Sequence, residues 1–180
     1  MNAEDHLIIR RAKHGDLHAF STLVRNYKIY VYKTAFGILQ NNSDAEDVTQ
    51  ETFLKVYQSL RSLRNEETFP TWIARIAVRT ALDLVKKNQR IQTYDPQTES
   101  SHLIVDEAMP DARMELDFAL EKLSPDHRAI LVLREIQGWD YEQISRVLEI
   151  PIGTVRSRLY HARTQLRQIL SESEERHHDV

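Results

Sequence analysis

Apolar residues recur at three- and four-residue spacings through most of this chain, and no alternating run of strand type interrupts them, so the pattern predicts an all-α protein. Over residues 4–14 and 17–40 the spacing puts Leu7, Ile8, Ala12, Phe20, Leu23, Val24, Tyr27, Val31, Ala35, Ile38 and Leu39 on packing faces, with Gly15 and Asp16 as the break. Ser43 followed by Glu46 reads as a capping box that opens a helix over 44–57. Its expected apolar side is Val48, Thr52, Leu54 and Tyr57, leaving Asp44, Asp47, Gln50 and Glu51 as an acidic, polar face. Acidic residues in a first turn also oppose the helix dipole, so charge alone does not make this face a binding surface. After a loop over 62–70, a helix over 71–90 turns Ile73, Ile76, Ala77, Thr80, Ala81 and Leu84 inward and keeps Arg75, Arg79, Asp83, Lys86 and Lys87 accessible.

The most specific pattern lies near the C-terminal end. Asp140 and Gln143 form a second capping box behind Gly138 and predict a helix over 141–148 that buries Ile144, Val147 and Leu148. Pro151 and Gly153 break it, and Thr154 can cap a following helix whose stripe is Val155, Leu159, Ala162, Leu166 and Ile169. The outer face of that helix carries Arg156, Ser157, Tyr160, His161, Arg163, Thr164 and Arg167, and no acidic residue occurs between Ile150 and Ser171. Two short helices, a tight turn and an acid-free outer face make a helix-turn-helix DNA reader. A plain hairpin with solvated arginines gives no reason for the caps, the turn and the charge asymmetry to coincide. Ser145 stands where a smaller alanine commonly lets the helices approach. Glu149 stands where the turn often has glycine, and a backbone that avoids the left-handed region is expected there.

Periodicity fades over 91–114, where Pro96, Pro110, serines, threonines and acids collect, so this stretch reads as a flexible linker between domains at 1–90 and 115–171, followed by a polar tail at 172–180. The formal net charge of −3 is unexpected beside a DNA-reading motif, because an autonomous DNA binder takes most of its affinity from phosphate neutralisation. The charge is segregated: Arg75, Arg79, Lys86, Lys87 and Arg90 face Asp83 alone over 72–90, whereas 91–117 holds seven acidic residues against Arg113 alone. With no cysteine, disulfides and thiolate metal sites are excluded and a reducing compartment suits the chain. No apolar run approaches the roughly 20 residues of a membrane span, and the first residues lack a signal-peptide core, so a cytoplasmic protein with no direct membrane insertion is expected. No phosphate-cradling glycine loop or nucleophile elbow occurs. His14 and His18 lack the HExxH context and a third ligand. No catalytic residue, metal or cofactor is therefore expected, and an enzyme is not.

HGDLHAFSTLV, DAEDVTQETFLKVYQSL and TFPTWIARIAVRTALD in the first half, and LEKLSPDHRAILVLREIQGWDYEQISRVLEIPIGTVRSRLYHAR in the second, resemble regions 2 and 4 of the bacterial extracytoplasmic-function (ECF) sigma factors of the sigma-70 family. GTVRSRL followed by HAR is the most specific of these matches. The resemblance implies two small helical domains, a region 2 bundle and a region 4 helix-turn-helix. It implies that the face bearing Asp44, Asp47, Gln50, Glu51 and Phe53 docks on the β′ clamp helices of the RNA polymerase core. It implies that the loop before Trp72 and the helix after it melt the downstream promoter element and hold a flipped base, with Asn65, Phe69, Trp72, Arg75, Arg79 and Lys86 as the matching residues. Region 4 then reads the upstream element with Thr154, Arg156, Ser157, Tyr160, His161, Arg163 and Arg167 and engages the β flap. Several relatives have asparagine where this chain has Arg79, which bears on the downstream base preference. A cognate anti-sigma factor, often membrane-tethered, is implied as well.

The resemblance also accounts for the acidic charge, since the polymerase core supplies most of the DNA affinity. The competing reading is a stand-alone helix-turn-helix regulator with an N-terminal helical sensing domain. That reading predicts tight promoter binding without polymerase and a basic or dimeric DNA-binding unit, yet neither a ligand pocket nor a dimerisation heptad is legible.

Overall fold

A computed structural model describes the backbone over residues 3–94 and 111–178 and the side chains over 4–91 and 115–172. Most of the expected linker and the last residues of the expected tail lie outside the described residues. Every regular element among those described is helical. The first four helices are α1 (Ala3–Lys13), α2 (Leu17–Leu39), α3 (Asn42–Ser59) and α4 (Phe69–Tyr94). They are followed by α5 (Asp111–Glu121), α6 (Pro125–Leu131), α7 (Tyr141–Leu148) and α8 (Ile152–His178), with a π-helical turn at Val132–Ile136 after α6.

Local chemistry sets the helix ends. Asp16 caps α2 by accepting from the Ala19 N–H at 3.0 Å, and Gln40 closes it in the left-handed region, its N–H reaching the Phe36 carbonyl. Asn41, not Ser43, caps α3, accepting from the Asp44 N–H at 3.0 Å. Asn41 precedes Ser43 in the chain and caps as well as serine does, so the helix starts earlier than the Ser43–Glu46 pattern suggests.

Along α3 the buried residues are Ala45, Val48, Thr49, Thr52, Phe53 and Val56, an alternation of threes and fours built from small and hydroxyl side chains. Leu54 and Tyr57, expected inside on size, fall outside that phase and are 63% and 54% exposed. The Thr49 hydroxyl satisfies itself inside by donating to the Ala45 carbonyl at 2.7 Å. In α1 the same correction applies: Ile9 is buried and Leu7 is exposed.

One core lies among α1–α4, with Ile9, Leu23, Val31, Val56, Phe69, Ile73 and Ala77 at its centre. A second core is shared by both halves of the chain. It joins Ala35, Ile38, Ala45, Val48, Ala74, Val78 and Ala81 to Leu120, Leu123, Ile130, Leu133, Trp139, Ile144, Val155 and Leu159. The two helical units are therefore packed on each other, with α6 and the π-helical turn against α2 and α7 against α4.

Several contacts fix that seam. The Tyr30 ring stacks on Trp139 at 6.5 Å between centroids, and the Tyr30 hydroxyl donates to Gln137 Oε1 at 2.5 Å. Gln137 Nε2 donates in turn to the Thr34 hydroxyl. Burial pushes the Tyr30 phenol upward, so it remains a donor at physiological pH. Gly37 lies against Val132 so closely that a side chain at Gly37 would overlap a Val132 methyl. The Arg128 guanidinium, almost fully buried, donates to the Ile38 carbonyl at 2.6 Å and to the Leu120, Glu121 and Leu123 carbonyls at 3.1–3.3 Å.

Arg128 thus donates to carbonyls at the ends of α2 and α5 and in the turn after α5, of which Leu120 also accepts from the Leu123 N–H at 3.1 Å. Replacing Arg128 with Met strands several of them in an apolar seam at about 1–3 kcal/mol each. We expect the variant to lose about 3 kcal/mol or more in urea unfolding; a change below about 0.5 kcal/mol is the value for an unengaged surface site and would show that the carbonyls are not dependent on it.

Asp16 supplies a pH-dependent counterpart. The Ala19 N–H, followed by Arg11, holds its carboxyl below the usual carboxylate value. Its stabilisation is therefore present above the unfolded-state pKa and is lost as pH falls through the lower folded value. Asp16→Asn should lower the melting temperature at neutral pH and narrow the gap to the parent protein at the acid end; a gap independent of pH would remove the carboxylate from the argument.

Candidate nucleic-acid and partner interfaces

The helix-turn-helix is built as its residues predict, with one exception in the turn. Asp140 accepts from the Gln143 N–H at 2.7 Å, and Gln143 Oε1 accepts from the Asp140 N–H at 2.9 Å, so the capping box is complete. Ile144 and Val147 are buried beneath α7. Glu149 then adopts the left-handed conformation, φ 55° and ψ 43°, and its N–H closes on the Ser145 carbonyl. The expectation that Glu149 avoids this region is thus corrected: the turn needs a left-handed residue there whatever the side chain, at a cost of roughly 1–2 kcal/mol without glycine. Ser145 finds a use in the same turn, its hydroxyl donating to the Ile150 carbonyl at 2.6 Å.

The second helix, α8, begins at Ile152, so Thr154 lies inside its first turn instead of capping it, and its carbonyl accepts from the Ser157 hydroxyl at 3.2 Å. Val155, Leu159 and Ala162 are buried, while Arg156, Ser157, Tyr160, His161 and Arg167 are exposed. Tyr160 is 65% exposed, with its ring edge-on to His161. Arg163 is less available: its Nε and one terminal nitrogen both donate to Glu135 Oε1, at 2.9 and 2.5 Å. That hydrogen bond raises the Arg163 pKa further and ties it to the π-helical turn.

On α4, Arg75 is half-buried, Arg79 is exposed one turn further on, and Lys86 is exposed two turns beyond that on the same face. Lys86, with Asp83, Lys87, Arg90 and Ile91, lines a shallow surface depression at the far end of the helix. Arg75 Nη1 lies 3.5 Å from Glu149 Oε1, and Arg79 Nη2 donates to Glu149 Oε2. Arg75 Nε is buried with no hydrogen-bond partner among the described residues.

In the preceding loop the exposed Asn65 caps a short 3-10 turn at Glu66–Thr68, accepting from the Glu67 N–H at 2.9 Å, and Glu66 pairs with Lys13 at 3.1 Å. Phe69 is fully buried, with its ring edge-on to Tyr27 at 5.0 Å. Trp72 is half-buried, 6.0 Å from Phe69. Phe69 is thus corrected from a contact residue to an anchor for the loop. Burying such a ring is worth about 1.5–3 kcal/mol, which pins the loop to the core.

The α3 surface presents Asp47, Gln50 and Glu51 outward and Asp44 partly so, with Glu51 paired to Lys55 at 2.8 Å. Partial burial, aided by Asp47, pushes the Asp44 carboxyl upward. Phe53 is 8% exposed and belongs to the core among α1–α4, so it is corrected from a surface contact to packing. Leu54 is the exposed apolar residue beside it. It lies seven residues after Asp47 and three after Glu51, on the same face, and Tyr57 extends that stripe by one turn. The exposed apolar pair among acids is what an interaction face looks like.

Known proteins match this organisation. The Sigma-70 region 2 model matches residues 23–91 and the Sigma-70, region 4 model matches residues 113–166. Both halves therefore carry sigma-70 modules, in that order. The RNA polymerase sigma-H factor of Pseudomonas aeruginosa is 33% identical over 181 residues, spanning 93% of this chain and 94% of that protein. The ECF RNA polymerase sigma factor SigW of Bacillus subtilis is 30% identical over 178 residues, spanning 91% and 95%. The chain belongs to the ECF group of the sigma-70 family of RNA polymerase sigma factors. Among solved structures, the sigma factor RpoE in complex with the anti-sigma factor NepR from Bartonella quintana superposes with a TM-score of 0.73. It spans 84% of this chain and 96% of its own at 22% identity, a likeness that speaks for the fold alone. The reading as a stand-alone regulator with a sensing domain falls away, because the N-terminal half is itself a sigma module.

Proposed function

We propose that this chain binds the RNA polymerase core through the α3 face, reads an upstream promoter element with α8, and opens the downstream element with the 65–68 loop and α4. The observation that carries the reading is the combination in one chain of an acid-free recognition face with an acidic face that exposes Leu54 and Tyr57. The first suits a major groove, and the second a basic, partly apolar protein surface. Asp44, Asp47, Gln50 and Glu51 take the β′ clamp helices, and the region 4 unit takes the β flap. Promoter recognition is divided between two units, with 1–90 as the polymerase-binding and melting part and 115–171 as the upstream reader. An anti-sigma factor is a third partner, as the RpoE–NepR pairing suggests for a protein of this fold. The chain's place of work is the cytoplasm, on polymerase and DNA, as a specificity factor and not an enzyme; no helix among the described residues is long and apolar enough to cross a membrane.

The central test is transcription with purified core enzyme. Open complexes should form only with core and chain together, and the chain alone should bind duplex DNA weakly and lose that binding as salt rises. Nanomolar sequence-specific binding by the chain alone at physiological salt would overturn the reading. Within the upstream reader, Arg156→Ala or Tyr160→Ala should cost about 1–3 kcal/mol at individual base pairs and change the ranked promoter preferences. Arg167→Ala should weaken all sites alike, as a phosphate contact does. Selection of promoters from a randomised library distinguishes the two patterns, and their reversal would mean that α8 lies in the groove the other way.

Melting is tested separately. Arg79→Ala, or substitutions over 65–68 that leave the melting temperature unchanged, should weaken open-complex formation while sparing core binding. The defect should shrink on a template already mismatched at the downstream element, where the unstacking cost of a few kcal/mol has been removed. Permanganate footprints on duplex and mismatched templates give the comparison, and equal defects on both would leave the segment as scaffold.

A further inference from the structure

The carboxylate of Glu149 occupies the guanidinium groups that α4 presents to nucleic acid. It pairs with Arg79 and lies 3.5 Å from Arg75, whose Nε stays buried without a partner among the described residues. A carboxylate and a phosphate oxygen compete for the same guanidinium N–H groups, so while Glu149 is in place its charge and its oxygens oppose the approach of a DNA phosphate to Arg75 and Arg79, although each fork keeps other donors. Glu149 is carried there by the docking of one helical unit on the other, and the seam that does the docking is largely apolar: Trp139 on Tyr30, Val132 on Gly37, Ile38 and Ala35 in the shared core. Both ion pairs are substantially exposed, and exposed pairs contribute little to stability. The seam therefore holds the closed state, and Glu149 decides what that state excludes.

We propose that the free chain is self-inhibited: Glu149, from the turn of the helix-turn-helix, acts as an internal stand-in for DNA phosphate on Arg75 and Arg79, and α4 becomes available to the downstream element only when the units separate. The choice of residue fits. A left-handed turn position strongly favours glycine, and this chain puts there a charged side chain that reaches two arginines on the other unit. The unsatisfied Arg75 Nε marks the pairing as imperfect, as suits a contact meant to be released. The proposal rests on the reading of α4 as a DNA-contacting helix.

The test uses a lock. A Cβ built at Gly37 lies 3.6 Å from the Val132 Cβ, within the span of a disulfide, and the chain has no other cysteine. Gly37→Cys with Val132→Cys should oxidise readily in the full-length free chain. Binding of a short, random-sequence, fluorescein-labelled single-stranded DNA should then be at least about tenfold weaker than for the same protein reduced. Adding Glu149→Gln to the oxidised protein should recover part of that binding. Glu142→Gln, which removes the same charge from an exposed site on α7, should not.

Failure of the cysteines to bond in a protein whose helicity and melting temperature are retained overturns the closed state, as does equal recovery by Glu149→Gln and Glu142→Gln for the competition. If the double variant does not fold, small-angle scattering of the unaltered chain decides: a compact 180-residue body has a radius of gyration of about 16 Å, and a clearly larger value with two resolved bodies overturns the proposal. Disulfide formation and scattering do not depend on what α4 binds. A lock that forms while the reduced protein neither binds single-stranded DNA nor supports open complexes would therefore count against the DNA reading of α4 and not against the closed state.

Discussion

The Arg128 guanidinium reaches the ends of two helices that belong to different halves of the chain, and much of the remaining architecture follows from placing it there. The last carbonyls of α2 and α5 have no helical partner, and each helix end carries the negative pole of its dipole. A cation with five donors in a planar fork satisfies both ends at once, donating to Ile38 on one side and to Leu120, Glu121 and Leu123 on the other. Burial lowers its pKa, with no full ionic partner to offset the desolvation beyond a minor contribution from Glu121. It stays charged because an arginine starts so far above neutrality. Around this point Gly37 lets Val132 approach α2, and Gln137 and Trp139 follow onto Thr34 and Tyr30. The position of the helix-turn-helix relative to α4 is a consequence, and so is the contact between Glu149 and the two arginines.

What could be read from residues alone divides along a physical line. Local side-chain chemistry made some helix ends legible, although the caps read at Ser43 and Thr154 fell at Asn41 and inside α8. The Asp140–Gln143 box gave α7 at its true start, and the α8 stripe of Val155, Leu159 and Ala162 is buried as its spacing requires. Phase was less legible where small and hydroxyl residues fill a core, because Thr49, Thr52 and Ala45 carry little hydrophobic signal and the larger Leu54 and Tyr57 drew the expected face toward themselves. Phe53 and Phe69 were named as contact residues through the family resemblance although they pack inside, where large rings usually belong.

The seam between the halves was not legible. Gly37, Arg128, Gln137 and Trp139 each look like ordinary helix or turn residues, and only their meeting across about a hundred residues of sequence gives them a role. Periodicity reports which side of a helix is apolar and says nothing of which neighbour covers it. On α2, Val31, Ala35 and Ile38 follow one another at four and three residues along a single face, so the two cores take successive stretches of one stripe. On α4, Ile73 and Ala77 serve one core and Ala74, Val78 and Ala81 the other, in neighbouring rows about 100° apart that widen the buried stripe toward a second partner.

Segregated charge takes on a more definite meaning in this setting. On the proposed function, a chain of net charge −3 meets DNA through Arg75, Arg79, Arg156 and Arg167, and those cations have to be kept from its own acids. On α8 the solution is exclusion, since no acidic residue lies between Ile150 and Ser171 and the engaged arginines, Arg158 and Arg163, are held from outside by Asp126 and Glu135. On α4 the solution is pairing, with Glu149 reaching over from the other unit. The two strategies have opposite consequences. An excluded acid leaves Arg156 and Arg167 open in every state of the chain, whereas a paired acid makes the availability of Arg75 and Arg79 depend on how the units are arranged. If α4 acts on DNA only after the polymerase core is engaged, as proposed, the second suits it better, because whatever separates the units also uncovers the arginines.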